Sequence, residues 1–281
     1  MGPSAIRVAG MQARLSELGY TVEDWGNVEV PQPEGSQVGS EKARFLAEIS
    51  QTCGLLRDRV LRIAGEKKFP LVLGGDHSVG AGTVAGMSAH FAARGQKMGL
   101  IWVDAHADMN TPETSPSGNV HGMPLASILG MGPQELTHLS GISPMVDPRN
   151  TVLVGIRDVD THEGPQVKRT GMYAFTRREI DEHGMMTVMR QALALAGDGT
   201  AGIHLSLDMD SLDPREAPGV GTPVRGGLSY REAHLAMEMA CDSGLLESME
   251  VVEVNPVLDE RNRTARLAVE LVTSALGKRI L

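Results

Sequence analysis

Residues Asp104-Ala-His106-Ala-Asp108 follow the apolar run Gly99-Leu-Ile-Trp-Val103 without a break. No other stretch narrows the possible folds so far. An apolar run rich in branched side chains predicts a buried strand. In extended backbone the spacing i, i+2, i+4 turns the three polar side chains to one face. Two carboxylates and an imidazole crowded at the end of a core strand repel, or stay unsatisfied, unless a cation neutralises them. A solvated strand end is the alternative, and on these five residues alone both readings stand.

The arrangement recurs elsewhere in the chain. Gly202-Ile-His-Leu-Ser-Leu207 runs into Asp208-Met-Asp210, Phe69-Pro-Leu-Val-Leu73 runs into Gly74-Gly-Asp-His77, and the strand predicted over 247–254 carries Glu253. Further strands are predicted at 20–24, 151–156 and 172–175. Helices are predicted at about 3–19, 41–66, 79–94, 185–196, 230–242 and 260–276. The segments 31–39 and 105–124 are polar and rich in Pro, Gly, Ser and Asn, so they predict loops; loops as long as the second are usually functional or disordered. Strand–helix alternation of this kind implies an α/β fold with three α-β-α layers and a mostly parallel central sheet. Without a repeat or linker, residues 1–281 read as one domain. Ligands in such sheets bind beyond the C-terminal strand ends, which is where His77, Asp104, Asp208 and Glu253 all fall.

Taken together, His77, Asp104, His106, Asp108, Asp208 and Asp210 supply four carboxylates and two imidazoles. One divalent cation does not neutralise four carboxylates in a confined site, whereas two match them charge for charge. Oxygen ligands dominate and sulfur is absent, which favours Mn(II) over structural zinc. Asp213 precedes Pro214 and is expected to cap a turn. His90, His138, His162, His183 and His234 lack ligand-like neighbours and are expected on the surface or in packing. His204 shares a strand face with Asp208 and is expected to be buried and hydrogen-bonded.

A net charge of −9 and the absence of a Lys/Arg block exclude non-specific nucleic-acid binding as a leading function. Cys53 and Cys241 are the only cysteines, so a disulfide scaffold is not expected, and a reducing cytoplasm fits best. The N-terminus lacks the apolar core of a secretory signal, and no stretch reaches membrane-spanning length.

Gly74-Gly-Asp-His-Ser78, Asp104-Ala-His-Ala-Asp108, Ser206-Leu-Asp-Met-Asp-Ser-Leu-Asp-Pro214 and Glu253-Val-Asn-Pro256 resemble, in that order, the signatures of the ureohydrolases. The loop Asn110-Thr-Pro-Glu-Thr-Ser-Pro-Ser-Gly-Asn-Val-His-Gly-Met-Pro124 is similar to that of the arginase family, in its bacterial branch. The resemblance runs over nearly the whole chain. It implies an arginase/deacetylase-like fold and hydrolysis of L-arginine to L-ornithine and urea by a hydroxide bridging two manganese ions. It also implies that Asp104 and Asp208 bridge the ions, that His77 and Asp108 complete one, and that His106 and Asp210 complete the other. Asn110, Ser117 and Asn119 would hold the substrate carboxylate and Asp160 its α-amino group. His121 would be a proton shuttle, Asp108 a proton relay and Glu253 the acid facing the guanidinium, with Thr222 beside it. A homo-oligomer, trimer or hexamer, is implied as well. Family members usually begin with a strand ahead of the segment matching Met1-Gly-Pro-Ser-Ala-Ile-Arg7, so an N-terminally short domain without that strand is expected.

The chemistry needs these residue types. A guanidinium carbon is a poor electrophile and water a poor nucleophile, and two cations sharing a water would lower its pKa toward neutrality. An imidazole with an ordinary pKa near 6.5 suits proton exchange from a polar loop. On their own, Asn110, Ser117 and Asn119 read equally well as turn formers. Agmatinase or another ureohydrolase is the nearest alternative, although it would not need a carboxylate-binding Ser/Asn loop. A related zinc deacetylase, a dinuclear phosphoesterase and a non-catalytic metal-binding protein are further alternatives.

Overall fold

The computed structural model describes residues 1–32 and 35–279. Its strands, in chain order, are β1 (Gly39–Ser40), β2 (Ala43–Arg44), β3 (Leu71–Leu73), β4 (Gly99–Val103), β5 (Thr151–Ile156), β6 (Tyr173–Thr176), β7 (Ile203–Asp208) and β8 (Leu246–Val252). β1 and β2 pair as a small antiparallel hairpin. The other six form one parallel sheet in the order β3-β8-β7-β4-β5-β6. That order sets β4 and β7 side by side at the centre, with Val103 in register with Leu207. Asp104 and Asp208 therefore emerge next to each other.

The helices are α1 (Gly2–Val8), α2 (Met11–Glu17), α3 (Leu46–Gly65), α4 (Val79–Ala92), α5 (Pro124–Ile128), α6 (Gln134–Thr137), α7 (Glu163–Thr170), α8 (Arg177–His183), α9 (Met185–Gly197), α10 (Tyr230–Asp242) and α11 (Arg263–Ala275). They cover both faces of the sheet. Leu100, Trp102 and Leu153 pack with Cys53 and Val60 of α3 and with Val84 and Met87 of α4. Ile101, Val103, Val152 and Val154 pack with Met189 of α9, Met237 of α10, Val272 of α11 and Ile6 of α1. A strand covered on both sides has no polar face to present, which is why Gly99–Val103 is apolar throughout and wholly buried. The three-layer α/β architecture expected from the sequence is the one observed.

Several local expectations change. The helix predicted over 3–19 is two helices, because Gly10 takes φ = 95° between them and breaks the hydrogen-bond run. Residues 20–24 form no strand. A strand exists only through a partner ladder, and this segment is held by side chains instead. The Tyr20 hydroxyl donates to the Leu276 carbonyl at 2.9 Å, and Arg7 pairs with Asp24 at 2.7 Å. The helix predicted from 41 begins at Leu46 because the β1–β2 hairpin occupies 39–44. The polar 105–124 segment contains a short 3-10 turn at Val120–Gly122. Among the described residues no strand precedes that hairpin, and β3 is one edge of the large sheet. No helix of the described residues is long and apolar enough to cross a membrane.

Candidate active site and metal centre

Parallel pairing brings the ends of β3, β4, β7 and β8 to one side of the sheet, and the predicted ligands meet there. His77 lies on the turn between β3 and α4, and its Nδ1 is 3.0 Å from Asp208 Oδ2, 3.1 Å from Asp104 Oδ2 and 3.1 Å from Asp108 Oδ2. None of these contacts is aligned as a hydrogen bond, and both His77 Nδ1 and Asp108 Oδ2 are buried without a partner. On the other side, His106 Nδ1 is 3.1 Å from Asp210 Oδ2 and 3.5 Å from Asp104 Oδ1. Two triads with ligand-type atoms within 4.8 Å of one another result, His77–Asp104–Asp208 and Asp104–His106–Asp210, with Asp104 common to both.

Local hydrogen bonds hold the carboxylates in place. Asp104 Oδ1 accepts from His106 N at 2.7 Å, and Asp208 Oδ1 accepts from Asp210 N at 2.7 Å. Trp102 stacks on the His77 ring with centroids 4.0 Å apart and donates its indole N–H to Asp104 Oδ2 at 3.0 Å. Behind His77, its Nε2 meets Ser206 Oγ at 2.8 Å, and that hydroxyl donates to Glu250 Oε1 at 2.7 Å. A hydroxyl has one proton to give. With that proton on Glu250, Ser206 accepts from His77 Nε2–H, which fixes the ring with Nδ1 facing the carboxylates.

The electrostatics expose the strain of four acids in one pocket. Burial raises Asp208 well above the usual carboxylate range, and the neighbouring Asp210 and Asp104 add to it. Burial, then Asp104, pushes Asp108 up to about 7, and the same two causes raise Asp210. Burial also works to raise Asp104, but His106 and His77 outweigh it and hold this acid below its ordinary value. Burial opposes protonation of His106, yet Asp104 and Asp210 lift it to about 12. Protons thus supply the positive charge the site demands. Orphaned inward-facing donors and oxygen-rich triads are the donor set that hard divalent cations take, displacing those protons.

Beyond the triads, every residue expected at the site lines one cleft except Asp104, which lies fully buried beneath it. Asn110 donates from Nδ2 to Asp160 at 2.8 Å and accepts from the Thr114 hydroxyl at 3.0 Å. Ser117 Oγ accepts from Asn119 N at 3.2 Å, and the β1–β2 hairpin holds this loop through Arg44 N donating to the Gly118 carbonyl at 2.9 Å. Thr222 donates to Asp210 Oδ2 at 2.9 Å. Glu253 Oε1 accepts from His77 N at 2.8 Å and lies 3.7 Å from His121 Nδ1. Asp108 and Glu253 both adopt left-handed backbone, with φ of 52° and 64°, a cost that persists where the surroundings enforce a geometry.

The pairing with Glu253 raises His121 to about 9 in the metal-free protein, against a smaller opposing effect of burial. Its stabilising contribution is therefore complete below the ordinary value near 6.5 and disappears as pH climbs through about 9. We expect the His121 ring proton signal of metal-free protein to titrate in NMR well above pH 7. A midpoint at 6.5 or lower would remove the pairing.

Outside the cleft, His204 is fully buried with Nδ1 2.8 Å from Ser248 Oγ, and His234 Nδ1 lies 2.8 Å from Ser274 Oγ. Asp213 caps its turn, accepting from Arg215 N and Gly226 N. Sequence reasoning missed Asp158 and Glu163, which also line the cleft. Glu163 is buried and accepts from Met109 N at 2.7 Å and Asp160 N at 3.1 Å. In sequence it is indistinguishable from an ordinary first-turn acid of α7. Glu250 left a clearer signal, a carboxylate between Met249 and Val251 within a predicted strand.

The model of the arginase family matches residues 1–277. The arginase of Bacillus subtilis is 50% identical over 281 residues, spanning 100% of this chain and 93% of that protein. The structure of Bacillus caldovelox arginase superimposes with a TM-score of 0.96 at 47% identity, over 100% of this chain and 93% of that one. Entamoeba histolytica arginase, solved with L-ornithine, superimposes with a TM-score of 0.90 at 32% identity, over 99% and 92% of the two chains. A match across the whole cleft-forming chain, with every strand end that supplies a ligand inside it, places this chain in the arginase family of hydrolases.

Proposed function

We propose that this chain, as one domain over residues 1–281, hydrolyses the guanidinium group of L-arginine to L-ornithine and urea at two manganese ions. The observation that carries the reading is the two triads sharing Asp104 at the floor of a cleft whose wall holds Glu253 and the Asn110–Asp160 pair. His77, Asp108, Asp104 and Asp208 would hold one ion, and His106, Asp210 and the same two shared carboxylates the other. When bound, such a pair of ions acidifies a shared water so that hydroxide is available near neutral pH.

The protein's own groups do the rest. Glu253 pairs with the guanidinium and sets its approach to the nucleophile. Asn110, Ser117 and Asn119 accommodate the substrate carboxylate, and Asp160 the α-amino group, so the side chain projects toward the triads. As the C–N bond to ornithine breaks, Asp108 takes the proton of the nucleophile and passes it to the departing amine. His121, about one-third exposed, exchanges protons with solvent to restore the starting state. Support for the substrate comes from the kinship with arginases and from the ornithine bound by the Entamoeba relative.

The test is release of urea and ornithine with manganese added, from arginine and from agmatine, which lacks the carboxylate. Urea should form from arginine, with kcat/KM for agmatine lower on the order of 10³-fold, because the polar groups meant for the carboxylate stay unpaired. Equal rates on both would remove the role of the Asn110–Asn119 loop. No urea from either, with manganese bound, would sink the enzymatic reading.

A further inference from the structure

Arg157 stands just beyond β5, three residues before Asp160. Gly155, at φ = 97°, and a bulge between Val154 and Ile156 turn the chain there across the ends of β4 and β7. The backbone N–H groups of Arg157 and Asp158 both donate to the Ala105 carbonyl, at 2.8 and 3.1 Å. This ties the segment to the loop carrying Asp104, His106 and Asp108.

The guanidinium reaches the other way. Nη2 donates to the Asp210 carbonyl at 2.7 Å, to Val224 O at 2.8 Å and to Leu212 O at 3.3 Å. Nη1 donates to Ser211 O at 3.1 Å and Gly155 O at 3.4 Å, and Nε to Arg225 O at 3.3 Å. Its ion-pairing capacity goes unused: no carboxylate of the described residues lies within salt-bridge distance. A fixed fork of N–H donors is spent wholly on main-chain carbonyls, all but that of Gly155 from the loop that bears Asp210 and from the loop after Thr222. Those two loops meet again where Thr222 donates to Asp210 Oδ2.

We propose that Arg157 is a positioning residue that locks the Asp210 loop against the Asp104–Asp108 loop and so sets the affinity of the ion held by His106 and Asp210. The proposal rests on the two-ion reading above. It predicts asymmetry: beyond Gly155 the guanidinium touches only residues 210–212 and 224–225, the loop that bears Asp210 and its neighbour, and makes no contact with His77 or Asp108. A lysine keeps the charge but, with three donors on one atom, does not span six carbonyls.

Equilibrium dialysis against manganese, with elemental analysis and electron paramagnetic resonance, tests this on Arg157→Lys and Arg157→Met. Removing an outer partner of a metal ligand typically weakens affinity about 10–100-fold. The variants should thus retain one ion instead of two at a free manganese concentration that fills both wild-type sites. The spin-coupled spectrum of the pair should give way to that of an isolated ion. Retention of both ions at unchanged affinity in either variant overturns the proposal, and so does parallel weakening of both ions, which a merely structural role would produce. Should Arg157→Met fail to fold, Arg157→Lys carries the same two outcomes. Wild-type protein that binds a single ion would instead sink the two-ion reading itself.

Discussion

Asp208→Ala protein is expected to retain no manganese after loading and desalting, and to release no measurable urea. Asp208 stands at the meeting point of the cluster: Oδ2 faces His77 Nδ1 at 3.0 Å, and Oδ1 accepts from the backbone of Asp210 at 2.7 Å. Removing it deprives both proposed ions of a shared oxygen ligand and lowers the negative charge available to them. The metal-free protein should behave differently. Burial, aided by Asp210 and Asp104, disfavours the charged form of Asp208, so its carboxylate adds little to the stability of the empty fold. We expect the metal-free Tm of the variant to stay within a few degrees of wild type. Manganese at one hundred times its Kd should add about 2.7 kcal/mol to wild-type stability, roughly 5–10 °C in Tm, and nothing to the variant. An unchanged metal content by elemental analysis would remove Asp208 from the bridging position.

The second large effect is expected for His121→Asn, on turnover alone. His121 sits on the Val120–Gly122 turn at the cleft wall, partly exposed, and its nearest acid is Glu253 at 3.7 Å. It belongs to neither triad. Asparagine keeps a polar side chain of similar reach but has no proton to exchange near neutral pH. The loss should fall in kcat, on the order of 10²- to 10³-fold, while both manganese ions remain and KM for arginine changes little. Loss of metal in this variant would instead make His121 a ligand. A kcat within a factor of two of wild type would end its role as proton carrier.

The candidate metal ligands were legible because their signals are local. Alternation along a strand has a period of two, so Asp104, His106 and Asp108 announce a shared face within five residues, as do Asp208 and Asp210. Burial of the preceding apolar runs is equally local, because a strand covered on both faces has no polar positions. The cleft wall was less legible. Asn110, Ser117, Asn119 and Asp160 look like turn residues and came to notice only through family resemblance. Glu163 escaped altogether, since a helix N-terminus favours an acid whether or not a cleft opens above it. The strand expected at 20–24 failed for the converse reason: its composition suits a strand, but pairing requires a neighbour, and the described chain sets none beside it.

From its residues alone, then, this chain determined its layered α/β class, which strand ends carry charge, and that the charge calls for cations. Those properties depend on neighbours a few positions apart. Only the tertiary structure decided which ends meet. The order β3-β8-β7-β4-β5-β6 sets Asp104 beside Asp208 and His77 before Ser206, and it brings the guanidinium of Arg157 under the Asp210 loop. Each of those contacts joins residues dozens of positions apart, and no local periodicity encodes them. They follow from the one packing that buries both faces of the sheet and leaves its charged edge facing the cleft.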